Sequence, residues 1–284
     1  MLKQFTAFVL LICAAFTASA QLSSVNYSSD EFLRFKSSKT LVVKTGSPEY
    51  DQAVEAGMKE FWNVTQYEFI SEADFDKRIT DPNVSFIANI IISGQSANQN
   101  YHYLALFNGG KKKIEKYTYN DMLAYCPRNY WVNEKTPTDC SYRVANMIGG
   151  LALTIDLMQK SDIKGNGLDI ANALKKTYNS RAGKIKDRTL LICKETVGSK
   201  LKESEIAAAY PFKYEFCTMD KLKQVIKEKS KDYYYFQPGI TLNKSMFVFD
   251  PSTSECVYFD YAMMGLFIKK SDLEDLTNTI KAGK

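Results

Sequence analysis

Thr40-Leu-Val-Val-Lys44 is answered by Thr189-Leu-Leu-Ile-Cys193, and Tyr67-Glu-Phe-Ile-Ser71 by Tyr214-Glu-Phe-Cys-Thr218, in the same order along the chain. After each second block comes a short amphipathic helix pattern, Phe75 and Ile79 in one copy matching Leu222 and Ile226 in the other. A third apolar run follows, residues 85–92 against 233–240. Residues 103–125 then align without gaps on 245–267, pairing Leu104-Ala-Leu-Phe107 with Met246-Phe-Val-Phe249 and Tyr119 with Tyr261. Four blocks in one order read as an internal duplication, the pattern that most limits the folds open to a chain. Each copy reads as strand, helix, strand, helix, strand and hairpin. The fold expected is therefore α/β, two duplicated β-α-β-α-β-hairpin halves joined by a helical segment. The pattern leaves open whether the halves share one sheet.

Local signals place the elements. Ser47 and Pro48 suit the cap and first position of a helix whose apolar residues Tyr50, Val54, Met58 and Phe61 recur at helical spacing. Ser71-x-x-Asp74 opens a second helix, short because its apolar stripe is only Phe75 and Ile79. Leu41-Val-Val and Leu190-Leu-Ile are continuous apolar runs, as expected for parallel strands covered on both faces. Asn108-Gly109-Gly110 reads as a hairpin turn between residues 103–107 and 112–116, with Asp250-Pro251-Ser252 in its place in the second copy. In the Tyr233-Tyr-Tyr-Phe236 cluster, alternation predicts half the rings in the core and half on a surface.

The expected divisions are a leader over 1–20, a first repeat over 21–138 with an insertion at 126–140, a helical connector over 139–183, and a second repeat over 184–284. The connector carries Val144, Met147, Ile148, Leu151, Ala152, Ile155 and Met158 at helical spacing, with a second helix over 168–178. The Gly-containing, basic stretch 179–186 is the expected linker. Ser271-x-x-Glu274 opens a last helix with Leu273, Leu276 and Ile280 on one face.

Lys3, an apolar stretch over 5–16 and Ala18-Ser19-Ala20 before Gln21 have the plan of a secretory signal peptide. The apolar run is about 12 residues, short of the roughly 20 that span a bilayer, so cleavage rather than anchoring is expected, with no transmembrane segment afterwards. This segment resembles signal peptides of Gram-negative envelope proteins, which implies an exported protein, periplasmic or extracellular. Of the 6 cysteines, Cys13 falls in the leader, leaving an odd set that cannot all pair within one chain. Cys126 and Cys140 bracket a polar, turn-rich segment and are the candidate disulfide. Cys193 and Cys217 lie in apolar runs and read as small core residues.

Chemical motifs are sparse. His102 is the single histidine, which leaves little for a catalytic triad and nothing for a His-rich zinc site. Asp74 and Asp76 read as helix-start acids. The strand-to-helix connections Lys44-Thr-Gly-Ser-Pro48 and Lys194-Glu-Thr-Val-Gly198 carry no nucleotide fingerprint, though Gly46 could present a helix N-terminus to an anion. No metal site and no cofactor is expected. A net charge of +5, unclustered, gives no reason to expect nucleic acid as a partner. Arg128, Tyr130 and Trp131 are the candidate binding residues, because these side chains are enriched at hot spots and sit in an insertion that the second copy lacks. The expectation is a non-catalytic binding protein using the inter-repeat cleft or the 126–140 loop to hold a small-molecule ligand or protein partner. The alternatives are a hydrolase whose carboxylates and tyrosines meet only in the fold, and a structural part of an envelope assembly.

Overall fold

The computed structural model describes residues 29–93, 100–111, 113–118, 121–131, 137–139, 141–161, 167–197, 201–240, 244–262 and 268–283. The expected leader over 1–20, Cys140 and Tyr119 lie outside them. After α1 (Ser29–Ser37), the first half runs β1 (Lys39–Val43), α2 (Pro48–Phe61), β2 (Tyr67–Ile70), α3 (Glu72–Arg78), β3 (Val84–Ser93), β4 (Asn100–Asn108) and β5 (Met122–Pro127). A small hairpin follows, β6 (Asn129–Trp131) and β7 (Pro137–Asp139), and then α4 (Val144–Ser161) and α5 (Gly167–Asn179). The second half contains β8 (Thr189–Cys193), α6 (Lys194–Val197), α7 (Glu203–Ala209), β9 (Tyr214–Cys217), α8 (Met219–Lys227), β10 (Tyr233–Ile240), β11 (Lys244–Phe249), β12 (Cys256–Ala262) and α9 (Lys270–Ala282).

The fold is mixed α/β with two separate five-stranded mixed sheets, in the orders β2-β1-β3-β4-β5 and β9-β8-β10-β11-β12. In each, three parallel strands are extended by two antiparallel ones. The register shifts at Leu106/Phe107 in one sheet and at Val248/Phe249 in the other. Lys44 lies over the Phe69 ring and Lys194 over the Phe216 ring, both 5.3 Å from the centroid.

The register corrects the sequence alignment in two places. Thr40 stands opposite Tyr67, but Leu190 and not Thr189 stands opposite Tyr214, so the position matching Lys44 is Lys194, not Cys193. The gapless alignment of 103–125 on 245–267 fails beyond β4, because Phe107 pairs with Met122 across a long loop while Phe249 pairs with Cys256 across a short one. Of the expected hairpin arm at 112–116, the described residues 113–116 form no strand, and Ile114–Lys116 is a 3-10 turn. Its glycines serve close packing. Gly109 N donates to Val84 O at 2.9 Å and Gly110 N to Ile79 O at 2.8 Å, turning the chain against α3. A Cβ on Gly109 would stand 2.3 Å from Asp81 O, and Gly110 has φ +117.

Capping follows the sequence in part. Ser71 Oγ accepts from Asp74 N at 3.1 Å, and Thr218 Oγ1 from Lys221 N at 3.4 Å. Ser47 precedes α2 as expected, but its side chain makes no cap bond. The Asp51 carboxylate instead turns back on the loop ahead of the helix, accepting from Thr45 N at 2.9 Å and Gly46 N at 3.0 Å. The Gly46 N–H considered for an anion is thus engaged by the chain's own carboxylate. The last helix starts at Lys270, and Asp272 rather than Glu274 reaches back, accepting from Lys269 N at 2.7 Å.

Every residue of the expected connector stripe, Val144 through Met158, is buried. Full burial of such side chains is worth about 1.5–3 kcal/mol each, so this stripe rather than helix propensity holds α4 in place. It packs with Val54, Met58 and Leu104 of the first half. From the same helix, Asn146 and Thr154 bond to Ser254 and Tyr178 at 2.7 and 3.0 Å. The expected linker is also packed. Residues 182–187 form a 3-10 turn with Ala182 and Ile185 buried, and Gly183 lies against Gly283, just past the end of the last helix. Tyr234, Tyr235 and Phe236 are all buried, because both faces of the second sheet are covered; alternation there chooses between two cores, not core and solvent. Among the described residues no helix is long and apolar enough to cross a membrane.

Candidate functional site

In sheets of this order the chain leaves the first strand in one direction and returns on its other side, opening a crevice at the carboxyl ends of the two central strands. In the first half that crevice lies between β1 and β3, whose pairing ends at Val42 and Ile87; in the second it lies between β8 and β10, whose pairing ends at Ile192 and Phe236. Just beyond each end stands an amide side chain, Asn89 on β3 and Gln237 on β10.

Tyr50 of α2 donates from its hydroxyl to Asn89 Oδ1 at 2.7 Å. Arg128 lies over the Tyr50 ring, 4.9 Å from its centroid. Its backbone N–H donates to His102 O at 2.8 Å, and its guanidinium donates to Ser141 Oγ at 3.1 Å. The next residue, Tyr142, reaches the other half, donating to Gln237 Oε1 at 2.9 Å. Gln237 in turn donates to Pro238 O at 2.8 Å, and Lys223 lies 6.0 Å from the Tyr142 centroid. Arg143, the third residue in succession, is buried; it donates to Pro127 O at 3.1 Å and sits 5.4 Å from the Phe249 centroid. One turn of chain therefore ties together the crevices of both halves. A cation over an aromatic ring in a partly desolvated site contributes about 0.5–2 kcal/mol, enough to fix Arg128 in one orientation.

The 126–140 segment is a two-stranded hairpin, with Tyr130 opposite Thr138 and Trp131 opposite Pro137. Strand β6 lies against β10 of the second half and β4 of the first. Of the three residues singled out in the sequence, Arg128 joins the cluster; Tyr130 and Trp131 lie on β6, with side chains outside the described residues. Cys126 carries a free thiol whose Sγ faces Met147 O at 3.7 Å. Burial pushes that thiol up to about 11, with the Arg143 charge opposing. Its expected partner, Cys140, lies outside the described residues.

Sequence reading missed Tyr50, Asn89, Tyr142 and Gln237. Tyr50 was absorbed into a helical stripe, and Tyr142 and Asn89 had no local signal. Gln237-Pro238 did carry one, since proline rarely interrupts a central strand. Here it is tolerated because the pairing of β10 with β8 ends at Phe236 and Ile192, so Pro238 has no β8 partner to donate to. Among the described residues no group of three or more histidine, cysteine or acidic side chains is placed to hold a metal ion. No family model matches the chain, and neither does any curated protein or solved structure.

Proposed function

We propose that this chain is an exported, non-catalytic binding protein of two duplicated halves, and that it holds its ligand or protein partner where the two crevices meet beneath the β6–β7 hairpin. The export part rests on the leader-like residues 1–20, and the compartment proposed is the periplasm or the cell exterior of a Gram-negative cell. Support for duplication comes from the common strand order, the register shift at matching positions and the paired Lys44–Phe69 and Lys194–Phe216 contacts. The observation that carries the binding reading is the succession Ser141-Tyr142, which bonds Arg128 on one side and Gln237 on the other. Ligands of open α/β sheets gather at such crevices, and a hairpin present in one half alone gives that crevice pair an unsymmetrical cover. Arginine, tyrosine and tryptophan at its base and tip are the side chains that dominate binding energy at interfaces.

The test is capture from envelope extract with tagged protein beginning at residue 21, beside a variant lacking 129–139 whose folding is checked by circular dichroism. A partner retained by the first and lost from the folded second supports the reading. Equal retention by both removes the hairpin from it.

A further inference from the structure

Cys193 closes β8 and Cys217 closes β9, and the two stand opposite each other as the last pair of the parallel register. Neighbouring strands run about 4.8 Å apart, within the roughly 4.4–6.8 Å between Cα atoms that a disulfide spans. Opposed residues share a sheet face, and both thiols enter one core layer with Leu191, Leu222 and Ile226. In the first half the same last pair is Val43 opposite Ile70, so the dithiol belongs to the second half alone.

A carboxylate stands beside the pair. Cys193 Sγ donates to Glu195 Oε2 at 3.1 Å, while Glu195 Oε1 accepts from Met219 N at 3.1 Å, which fixes the acid between the end of β8 and the start of α8. We infer that Cys193 and Cys217 are a redox-active dithiol that a small disulfide of the glutathione type converts to a cross-strand disulfide, with Cys217 as the attacking sulfur.

The assignment of roles follows from the proton. Glu195 accepts the Cys193 hydrogen at 3.1 Å and opposes a negative charge on that sulfur, so the Cys217 contact, burial and the carboxylate together hold the Cys193 thiol up, and Cys217 is the sulfur that gives up its proton first. The Cys217 thiolate attacks one sulfur of the small disulfide, forming a mixed disulfide and releasing one small thiolate, which takes up the proton that Cys217 gave up. Cys193 then loses its proton and attacks the Cys217 sulfur, releasing the second small thiolate, which is protonated in turn. Two protein thiols and one disulfide become one protein disulfide and two small thiols. Both sulfurs are buried, and access comes through β9, a four-residue strand at the sheet edge. Edges of this kind open at lower free energy than central strands.

The test uses protein beginning at residue 21, which retains every described element. It is equilibrated with oxidised or reduced glutathione in urea below the unfolding midpoint, alkylated, digested and mapped by mass spectrometry. The expected result is a Cys193–Cys217 linked peptide, lighter by two hydrogens, in oxidised glutathione and its loss in reduced glutathione. A Cys193→Ser variant should accumulate a glutathione adduct on Cys217, and Cys217→Ser should give little adduct on Cys193. Two alkylatable thiols in oxidised glutathione, or linkage of either to another cysteine, would overturn the pair. Adduct accumulation on Cys193 rather than Cys217 would overturn the assignment of roles.

Discussion

Asn146 Nδ2 donates to Ser254 Oγ at 2.7 Å, joining the connecting helix α4 to the short turn between the last two strands of the second sheet. Both residues are buried, and Ser254 holds φ 62, a backbone conformation that side chains other than glycine seldom adopt. The helix thus fixes a strained turn of the other half.

Removing either partner should cost about 1–3 kcal/mol, the penalty for leaving a buried polar group without its bond. Urea unfolding of Asn146→Ala, Ser254→Ala and the double variant checks this. The cycle should return a coupling of about 1 kcal/mol, within the range for residues in contact. Additive effects would show that the contact is incidental.

Close packing of α4 depends on two glycines. A Cβ on Gly57 would stand 2.8 Å from Ala145 Cα, and one on Gly149 2.5 Å from Ser254 Cβ. Alanine in a helix interior gains about 1 kcal/mol over glycine, but overpacking costs about 1–3 kcal/mol. Backbone stands in the way at Gly57, so Gly57→Ala should be destabilising overall, read as a lower thermal midpoint. A rise in that midpoint would mean that α2 and α4 can separate freely.

Lys244 and Asp272 are 4% and 9% exposed and meet at 2.7 and 2.6 Å through both carboxylate oxygens. Breaking a buried pair from one side leaves an uncompensated charge, at about 3–5 kcal/mol. Asp272→Asn should therefore shift the urea midpoint more than loss of an exposed pair such as Lys39–Glu68, whose charges water and salt screen. Comparable shifts for the two would contradict the placement of the pair.

The Cys126 thiol gives a pH dependence with a definite sign. Its ordinary value is 9.0 and burial pushes it up to about 11. Between those values the unfolded chain loses the proton and the folded protein keeps it, so stability falls as pH rises through this window. Burial raises Tyr178, Tyr210 and Tyr258 in the same direction. Thermal midpoints should therefore drop from pH 9 upward, and Cys126→Ala should flatten the slope by up to about 2–3 kcal/mol across the window. An unchanged slope would mean that the thiol is hydrated in the folded protein.

The parts of the fold legible in the sequence were those carried by periodicity. The α4 stripe, the cap at Ser71 and the buried strand runs each depend on neighbours within a few residues. Strand register did not follow, because a one-residue slip between β8 and β9 leaves the apolar run looking the same while exchanging its faces. The glycines at 109 and 110 misled for a related reason: a turn signal and a close-packing signal use the same residue. Of the candidate site, Arg128 was legible from residue type and from its place in an insertion. Its partners Tyr50 and Ser141, and Gln237 beyond them through Tyr142, were not, since they come from separate segments that only the tertiary fold unites.

The measurement that bears most directly on the central claim is photo-crosslinking in cells from position 131 on the β6–β7 hairpin, with Glu274, exposed on α9, as the control position. Binding beneath the hairpin predicts a discrete heavier species from position 131, absent from position 274 and lost when Arg128→Ala is added to the folded chain. Equal labelling from both positions, or labelling from 131 that survives Arg128→Ala undiminished, would contradict it.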